Sequence, residues 1–300
     1  MNLISIADLS AEGILEVLDR ADELKERRGD PAFRSVLAGK SLAAIFEKPS
    51  TRTRVSLEVA MTDLGGHALY LSGKDLQLGR GETIPDTARV LSRFVHGIAA
   101  RVRSHSTIVE LGRHSAVPVI NALSDLEHPC QILADLMTMR ERFGRLSGLK
   151  VAWVGDGNNV CNSTILASAL MGMEMRVASP PGYGPNRKIL DLAESLGGGV
   201  AVVADPAEAV CGAEVVSTDT WISMGDEAEA AERLAAFGPY QVNSDLLAHA
   251  KPEAIVMHCL PAHRGQEITD EVMDGPSSAI LDQSENRLHS VKAVLEWLLV

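Results

Sequence analysis

Short apolar runs alternate with longer amphipathic segments along most of this chain. The runs predict strands at 41–46, 67–71, 97–102, 117–123, 150–154, 175–178, 200–203, 214–217, 254–257 and 279–281. Strands that are apolar throughout and are separated by helices are typical of parallel sheets covered on both faces. The pattern therefore predicts an α/β fold.

Three amphipathic segments predict helices that shape the domain organisation. Residues 9–27 have Ser10 as an N-cap, acidic side chains early and basic side chains late, which suits the helix dipole. The segment 129–143 would join two domains. The segment 284–300 carries apolar residues at helical spacing, so it predicts a closing helix that could pack back on either domain.

About ten strands are too many for one doubly wound sheet in a chain of 300 residues. We therefore predict two domains, each a mostly parallel sheet flanked by helices, joined by interdomain helices. The predicted first domain is 1–133, with 284–300 packing back on it, and the second is 134–283.

Composition and charge narrow the function classes. Hydrophobic residues make up 46% and charged residues 23%, as in globular proteins, and the formal charge of −12 disfavours binding to nucleic acid or anionic membranes. An anionic ligand would therefore need a locally basic pocket.

The cysteines and the N-terminal segment bear on the cellular compartment. Four widely spaced cysteines show no metal-ligand or disulfide spacing, which fits a reducing compartment. The start of the chain lacks a signal-peptide pattern, and no apolar run approaches about 18 residues. We expect a cytoplasmic protein with no metal site.

The first candidate site is Ser50-Thr51-Arg52-Thr53, which follows a predicted strand and opens a predicted helix. Unpaired N–H groups at a helix N-terminus, hydroxyls and a guanidinium form a cradle for phosphate. A simple helix cap would also explain the hydroxyls, but the nearby arginines favour phosphate.

The second is His128-Pro129-Cys130-Gln131. Pro129 suits the first helical position and leaves His128 as the last loop residue. An imidazole, neutral or protonated, and a carboxamide N–H can both donate to a carbonyl oxygen that develops negative charge. His-Pro alone is more often only a turn.

The segment Gly155-Asp156-Gly157-Asn158-Asn159 follows an apolar strand and superficially matches a dinucleotide fingerprint. Val160 replaces the third glycine, and no ribose-binding acid stands about 20 residues on. This weakens an NAD-dependent dehydrogenase, although a turn lining a ligand cleft remains.

Two further polar segments follow apolar strands: 219–225, which begins with Asp219, and 258–265, which contains Cys259. The Asp219 carboxylate could hold a cationic amine, although it could also only cap a loop, and Cys259 could be a buried inert thiol. All five polar segments fall at predicted carboxyl ends of strands, where open α/β sheets bind ligands.

Together these motifs resemble the aspartate/ornithine carbamoyltransferase family over nearly the whole chain. The resemblance rests on Ser50 to Thr53, Gln77 to Thr83, His128 to Gln131, Asp219 to Gly225 and His258 to Pro261. The Ser-Met-Gly and His-Cys-Leu-Pro segments are similar to the ornithine branch. Leu57, where an aromatic residue is common, and the segment 111–114 depart from the family pattern.

The resemblance implies transfer of a carbamoyl group from carbamoyl phosphate to the δ-amino group of L-ornithine, giving L-citrulline and phosphate in arginine biosynthesis. It implies a carbamoyl phosphate-binding first domain and an ornithine-binding second domain, with no cofactor. It also implies a homotrimer or a multiple of trimers, with active sites near the subunit boundaries.

The family pattern also implies roles for individual residues. Carbamoyl phosphate would be bound by Ser50, Thr51, Arg52, Thr53, Gln77, Arg101, His128, Pro129, Cys130, Gln131, Cys259, Leu260 and Arg287. Ornithine would be bound by Asn159, Asp219, Ser223 and Met224. The catalytic set would be Arg52, Arg101, His128, Gln131, Asp219 and Cys259.

Other acceptor substrates and other classes of protein are alternatives to this prediction. Putrescine, N-acetylornithine or N-succinylornithine could replace ornithine and use the same carbamoyl phosphate half. A non-catalytic relative would show gaps in the motifs, and none is found. An NAD-dependent oxidoreductase rests on the Gly155 turn alone.

Overall fold

A computed structural model describes residues 1–76, 81–222 and 227–300. Contacts between Cα atoms divide the chain into two compact units. The first unit is Met1–Met137 with Glu285–Val300, and the second is Thr138–Ser284. The sequence-predicted domain limits at 133/134 and 283/284 stay a prediction.

The first unit is a parallel sheet with helices. Its helices are α1 (Ala11–Glu26), α2 (Thr51–Asp63), α3 (Ile84–Leu91) and α4 (His105–His114). Its strands are β1 (Ser41–Phe46), β2 (His67–Ser72), β3 (Gly97–Arg101) and β4 (Val119–Leu123), in the parallel order β2-β1-β3-β4. Short 3-10 helices lie at Ile6–Asp8 and Pro31–Ser35. The limit of this unit falls inside α5 (Pro129–Phe143).

The second unit has the same architecture. Its strands are β5 (Lys150–Val154), β6 (Glu174–Ala178), β7 (Val200–Val203), β8 (Val215–Thr218) and β9 (Ile255–His258), in the parallel order β7-β6-β5-β8-β9. Its helices are α6 (Asn159–Met171), α7 (Arg187–Ser195), α8 (Pro206–Val210), α9 (Ala230–Phe237), α10 (Ser244–Leu247) and α11 (Asp270–Met273). Further 3-10 helices lie at Glu227–Glu229 and Gly238–Tyr240, and α12 (Ile280–Leu299) contains the second limit between the units.

The two cores explain why the strands form. In the first unit β3 is buried at every position, and Ile45, Ile98 and Ile108 belong to one apolar cluster. In the second unit Val154 and Val216 pack in another. Full burial of each such side chain contributes about 1.5–3 kcal/mol, so the central strands are the most strongly fixed parts of each sheet.

The sequence-based α/β fold with two parallel sheets is confirmed. Nine of the predicted strands form, and Ser10 caps α1 by accepting from the Gly13 N–H at 3.1 Å. The predicted strand at 279–281 is wrong. Ser277 and Ala279 pair with Val256 through backbone hydrogen bonds, and the chain then turns into α12 at Ile280, four residues before the predicted start of the closing helix.

None of the helices in the described part of the chain combines the length and the hydropathy that crossing a membrane requires.

Candidate active-site residues

The hydroxyl-rich segment lies at the N-terminus of α2, as the sequence predicts. Ser50 is the N-cap, and its side chain accepts from the Thr53 N–H at 3.4 Å. Thr51 is exposed and is the first helical residue, whereas Thr53 is buried. The free N–H groups and the dipole of this helix end favour an anion.

Arg287, on α12, connects this helix end to α5. Its Nη2 donates to Thr53 Oγ1 at 3.0 Å, and its Nη1 donates to Gln131 Oε1 at 2.9 Å. Gln131 Nε2 in turn donates to Asp135 at 2.8 Å. All of these side chains are buried, so the network fixes the orientation of the Gln131 amide.

His128 lies among three guanidinium groups. It is the residue before α5, and it is buried. Burial, followed by the charges of Arg287, Arg101 and Arg52, holds its pKa well below the ordinary imidazole value. The imidazole is therefore neutral at neutral pH, a choice that the sequence left open.

The two remaining arginines lie at the ends of secondary-structure elements. Arg101 is the last residue of β3 and is buried, and Arg52 is the second residue of α2. Arg52 Nε is buried and has no hydrogen-bond partner within residues 1–76, 81–222 and 227–300. A buried Nε–H group of this kind has donor capacity left for an anionic ligand.

Pro129 and Cys130 are buried at the start of α5. Cys130 Sγ lies 3.5 Å from the Asn121 carbonyl oxygen, to which it donates. Burial raises the pKa of this thiol to about 11. Cys130 is therefore a packed, protonated thiol rather than a nucleophile.

Asp219 directly follows β8 and is the centre of a second cluster, in the second unit. Its Oδ1 accepts from Cys259 Sγ at 3.0 Å and from the Thr220 N–H at 2.8 Å. Its Oδ2 accepts from Asn158 Nδ2 at 2.8 Å. Asp219 is buried, so three donors fix the position of one carboxylate.

Asn158 is a member of this cluster that the sequence analysis missed. It caps α6 by accepting from the Val160 and Cys161 N–H groups, while its amide nitrogen donates to Asp219. Asn159, the residue assigned from the resemblance, is half-buried and is the first residue of α6. An Asn at a helix N-cap, after a glycine turn, was the available signal.

The two glycines before Asn158 have a steric explanation. Gly155 has φ of 133°, and a Cβ on Gly157 would lie 2.3 Å from the backbone of Gly184 and Pro185. A side chain is therefore excluded at Gly157 by neighbouring backbone. Chain packing accounts for this Gly-x-Gly pattern without a dinucleotide.

The segment after β9 supplies Cys259 and Leu260, both half-buried. His258 is buried, and its Nδ1 accepts from the Leu260 N–H at 2.9 Å. Candidate metal-ligand atoms of Asp219, His258 and Cys259 lie within 4.8 Å of one another. Because His258 Nε2 is also occupied, at 3.2 Å from Glu267, the group suits a hydrogen-bond network better than a metal.

The structure brings part of the predicted set of residues into two clusters. Ser50, Thr53, Gln131 and Arg287 are connected by hydrogen bonds in the first unit, and Asp219 and Cys259 are connected in the second. Cys259 and Leu260, assigned to carbamoyl phosphate from the resemblance, thus belong to the unit of Asp219. Gln77, Ser223 and Met224 lie outside the described residues.

Comparisons with known proteins agree over both units. Residues 1–141 match the family model for the aspartate/ornithine carbamoyltransferase carbamoyl-P binding domain, and residues 147–298 match the model for the Asp/Orn binding domain. The ornithine carbamoyltransferase of Methanosarcina mazei is 59% identical over 98% of this chain and 97% of that protein. The one from Archaeoglobus fulgidus is 59% identical over 99% and 97%.

Solved structures show the same relationship. The ornithine carbamoyltransferase from Pyrococcus furiosus matches with a TM-score of 0.95 and 53% identity, covering 99% of this chain and 96% of that one. The enzyme from Thermus thermophilus matches with a TM-score of 0.91 and 48% identity over 100% and 99%. The chain therefore belongs to the aspartate/ornithine carbamoyltransferase family.

Proposed function

We propose that this protein transfers the carbamoyl group of carbamoyl phosphate to the δ-amino group of L-ornithine, forming L-citrulline and phosphate. The observation that carries the proposal is the neutral, buried His128 among Arg52, Arg101 and Arg287. Three cations beside an uncharged donor suit a ligand with a dianionic phosphate and a neutral carbonyl. The names of the similar proteins support ornithine as the acceptor.

The first unit would bind carbamoyl phosphate. Ser50, Thr51, Arg52 and Thr53 would hold the phosphate at the N-terminus of α2, where the dipole and the N–H groups favour an anion. Gln77 would add to this site. Arg101, His128 and Gln131 would contact the carbamoyl group, and Pro129, Cys130 and Arg287 would complete the part of the binding site that the first unit supplies.

Catalysis would depend on preorganised donors. Attack by the amine places negative charge on the carbamoyl oxygen, and departure of phosphate places more charge on the leaving group. Donors fixed before reaction stabilise both charges without reorganisation. Carbamoyl phosphate carries its own leaving group, so this chemistry calls for no metal and no organic cofactor.

The second unit would bind the amino acid. Asp219 would attract the δ-ammonium group, and Asn159, Ser223 and Met224 would hold the rest of ornithine. An ammonium with a pKa of about 10.4 must lose a proton before it attacks. A carboxylate alone raises that pKa, so removal of water must lower it.

Asp219 is the better candidate to accept this proton. Cys259 Sγ lies 3.0 Å from Asp219 as a hydrogen-bond donor. A thiolate at that distance would be repelled by the carboxylate, so Cys259 would be a thiol in the unliganded protein. We assign Cys259 to orienting Asp219 before ornithine binds.

We further propose that the protein works in the cytoplasm in arginine biosynthesis, as a homotrimer or a multiple of trimers. The family resemblance supports all three proposals. Val55, Val90 and Phe94, which are 51%, 48% and 72% exposed, offer apolar surface on the first unit for association. Light scattering of the protein as it elutes from a size-exclusion column would measure the mass of the assembly. The mass of a monomer would contradict a trimer.

The acceptor is tested by comparing ornithine, putrescine and N-acetylornithine at one saturating concentration of carbamoyl phosphate. We expect carbamoylation of ornithine to exceed that of the other two by at least about 100-fold in kcat/KM, because Asp219 and the residues that follow it would bind a free amino acid. Faster carbamoylation of putrescine or N-acetylornithine would contradict the assignment.

A further inference from the structure

Glu267 is a fully buried carboxylate to which the transfer reaction gives no role. It lies between β9 and α11, outside the set of residues assigned to either substrate. Its Oε1 accepts from two groups, and its Oε2 makes no hydrogen bond within the described ranges. Burial of a polar group is costly, so this side chain is poorly explained as packing alone.

One connection from Glu267 passes through His258. Because His258 Nδ1 accepts from the Leu260 N–H, the ring proton must be on Nε2, which lies 3.2 Å from Glu267 Oε1. Glu267 therefore selects the tautomer that can hold Leu260. Leu260 has φ of 61°, a left-handed conformation that a leucine adopts only when its surroundings impose it. This connection fixes the turn that carries Cys259.

A second connection passes through His263. Its backbone N–H donates to Glu267 Oε1 at 2.5 Å, and its ring Nδ1 lies 3.0 Å from Thr220 Oγ1. Thr220 in turn donates its N–H to Asp219 Oδ1 at 2.8 Å. Glu267 is thus connected by separate routes to the segment after β8 and to the segment after β9, which meet at the contact between Asp219 and Cys259.

We propose that Glu267 is a positioning residue that fixes Cys259 against Asp219 and so prepares the carboxylate for the ornithine amine. The inference rests on the proposed function. Glu267 itself is assigned to neither substrate. Its carboxylate supplies one oxygen that two N–H donors share, and this arrangement requires an acceptor at that position rather than a negative charge.

The test compares Glu267→Ala with Glu267→Gln in a Cys211→Ser background, which removes the exposed cysteine. The Gln carbonyl can accept both N–H groups, whereas Ala accepts neither. In Glu267→Ala we expect KM for ornithine to rise about tenfold or more, with KM for carbamoyl phosphate within about twofold of the parent. Glu267→Gln should stay within about threefold of the parent for both substrates.

A second readout needs no turnover. The alkylation rate of Cys259 by iodoacetamide, followed by mass spectrometry, reports whether the thiol still donates to Asp219. We expect at least about a fivefold faster rate in Glu267→Ala, because a thiol released from the carboxylate ionises more readily. The control variant Glu271→Ala removes an exposed acid from the same unit. Its Cys259 should be alkylated at the parental rate.

Thr220→Val supplies an isosteric variant should Glu267→Ala fail to fold. It removes the hydroxyl that meets the His263 ring, and a rise in alkylation of about twofold or more is expected. A folded Glu267→Ala with parental alkylation and parental KM for ornithine would overturn the proposal, as would a parental rate in Thr220→Val. If the parent formed no citrulline, the proposed function would fail, while alkylation would still test the positioning.

Discussion

The two polar clusters of this protein are built on opposite charges. In the first unit three guanidinium groups raise the local positive charge around a neutral imidazole, His128. In the second unit one carboxylate, Asp219, is held by neutral donors from Asn158, Thr220 and Cys259. The contrast matches the proposed substrates, since one is a phosphate anion and the other carries an ammonium group.

The difference also concerns how each cluster is held. The basic cluster depends on helix ends and long-range side-chain contacts, because Arg287 on α12 reaches Thr53 on α2. The acidic cluster depends on segments that directly follow three neighbouring strands, β5, β8 and β9. A single substitution should therefore change the binding or the kinetics of one substrate and leave those of the other unchanged.

The largest expected effect comes from the basic cluster. Arg52→Ala removes a half-buried guanidinium whose buried Nε has no hydrogen-bond partner in the described residues. It should lower kcat by about 100-fold or more, because an oriented donor to developing charge is lost. Citrulline formation under saturating substrates measures this. The matched control is Arg113→Ala, at an exposed position in the last turn of α4, and it should keep the parental kcat. Near-normal turnover of Arg52→Ala would show that Arg52 does not bind phosphate.

Substitutions in the acidic cluster should change the kinetics with ornithine rather than the binding of carbamoyl phosphate. Asp219→Asn keeps the shape but loses the charge, so kcat/KM for ornithine should fall about 30-fold or more while the Kd of carbamoyl phosphate stays parental. Titration calorimetry and steady-state rates separate the two. Asp245→Asn, exposed at the start of α10, provides the control. Equal losses for both substrates would remove the division of labour between the clusters.

The low pKa of His128 predicts a pH dependence of stability. The folded state keeps this imidazole neutral, whereas the unfolded chain protonates it below about pH 6.5. The unfolded state then binds more protons, so stability is fully present above that pH and falls as the pH decreases towards the folded pKa.

Replacing His128 with Asn should flatten this dependence by at most about 1.4 kcal/mol per pH unit between pH 6 and 5. Urea unfolding of parent and variant at pH 7, 6 and 5 measures the two slopes. Identical slopes would mean that His128 binds a proton as readily in the folded protein as in the unfolded chain, which would contradict an imidazole held neutral by burial and by the three arginines.

The smallest effect separates two functions of Asn158. Asn158→Ser can still cap α6 but cannot reach Asp219, whereas Asn158→Ala loses both contacts. We expect both variants to raise KM for ornithine by about threefold to tenfold, and only Asn158→Ala to lose about 1 kcal/mol of stability. Thermal unfolding and ornithine kinetics distinguish them. An unchanged KM in both would remove Asn158 from the cluster.

Local sequence signals were enough to predict much of this architecture. Ser50 and Pro129 were correctly placed at helix starts, because capping and the fixed φ of proline depend on a few neighbouring residues. The strands that are buried on both faces were also predicted from their apolar runs. The structure of 279–281 was predicted wrongly, because three apolar residues fit a short strand and a helix start equally well.

Contacts between distant residues were beyond sequence reasoning. Arg287 lies 234 positions from Thr53, and no periodicity indicates that their side chains meet. Asn158 could be predicted as the N-cap of α6 from its position after the glycines, but its contact with Asp219, 61 positions away, could not. The neutral state of His128 depends on burial and on three charges from separate elements, so it could be inferred only from the folded structure.

Initial rates of citrulline and phosphate formation, with carbamoyl phosphate and ornithine both varied, are the direct test of carbamoyl transfer to ornithine. We expect equal amounts of the two products, saturation in each substrate, and no citrulline when either is omitted. Release of phosphate without citrulline, or no turnover with this pair of substrates, would contradict it.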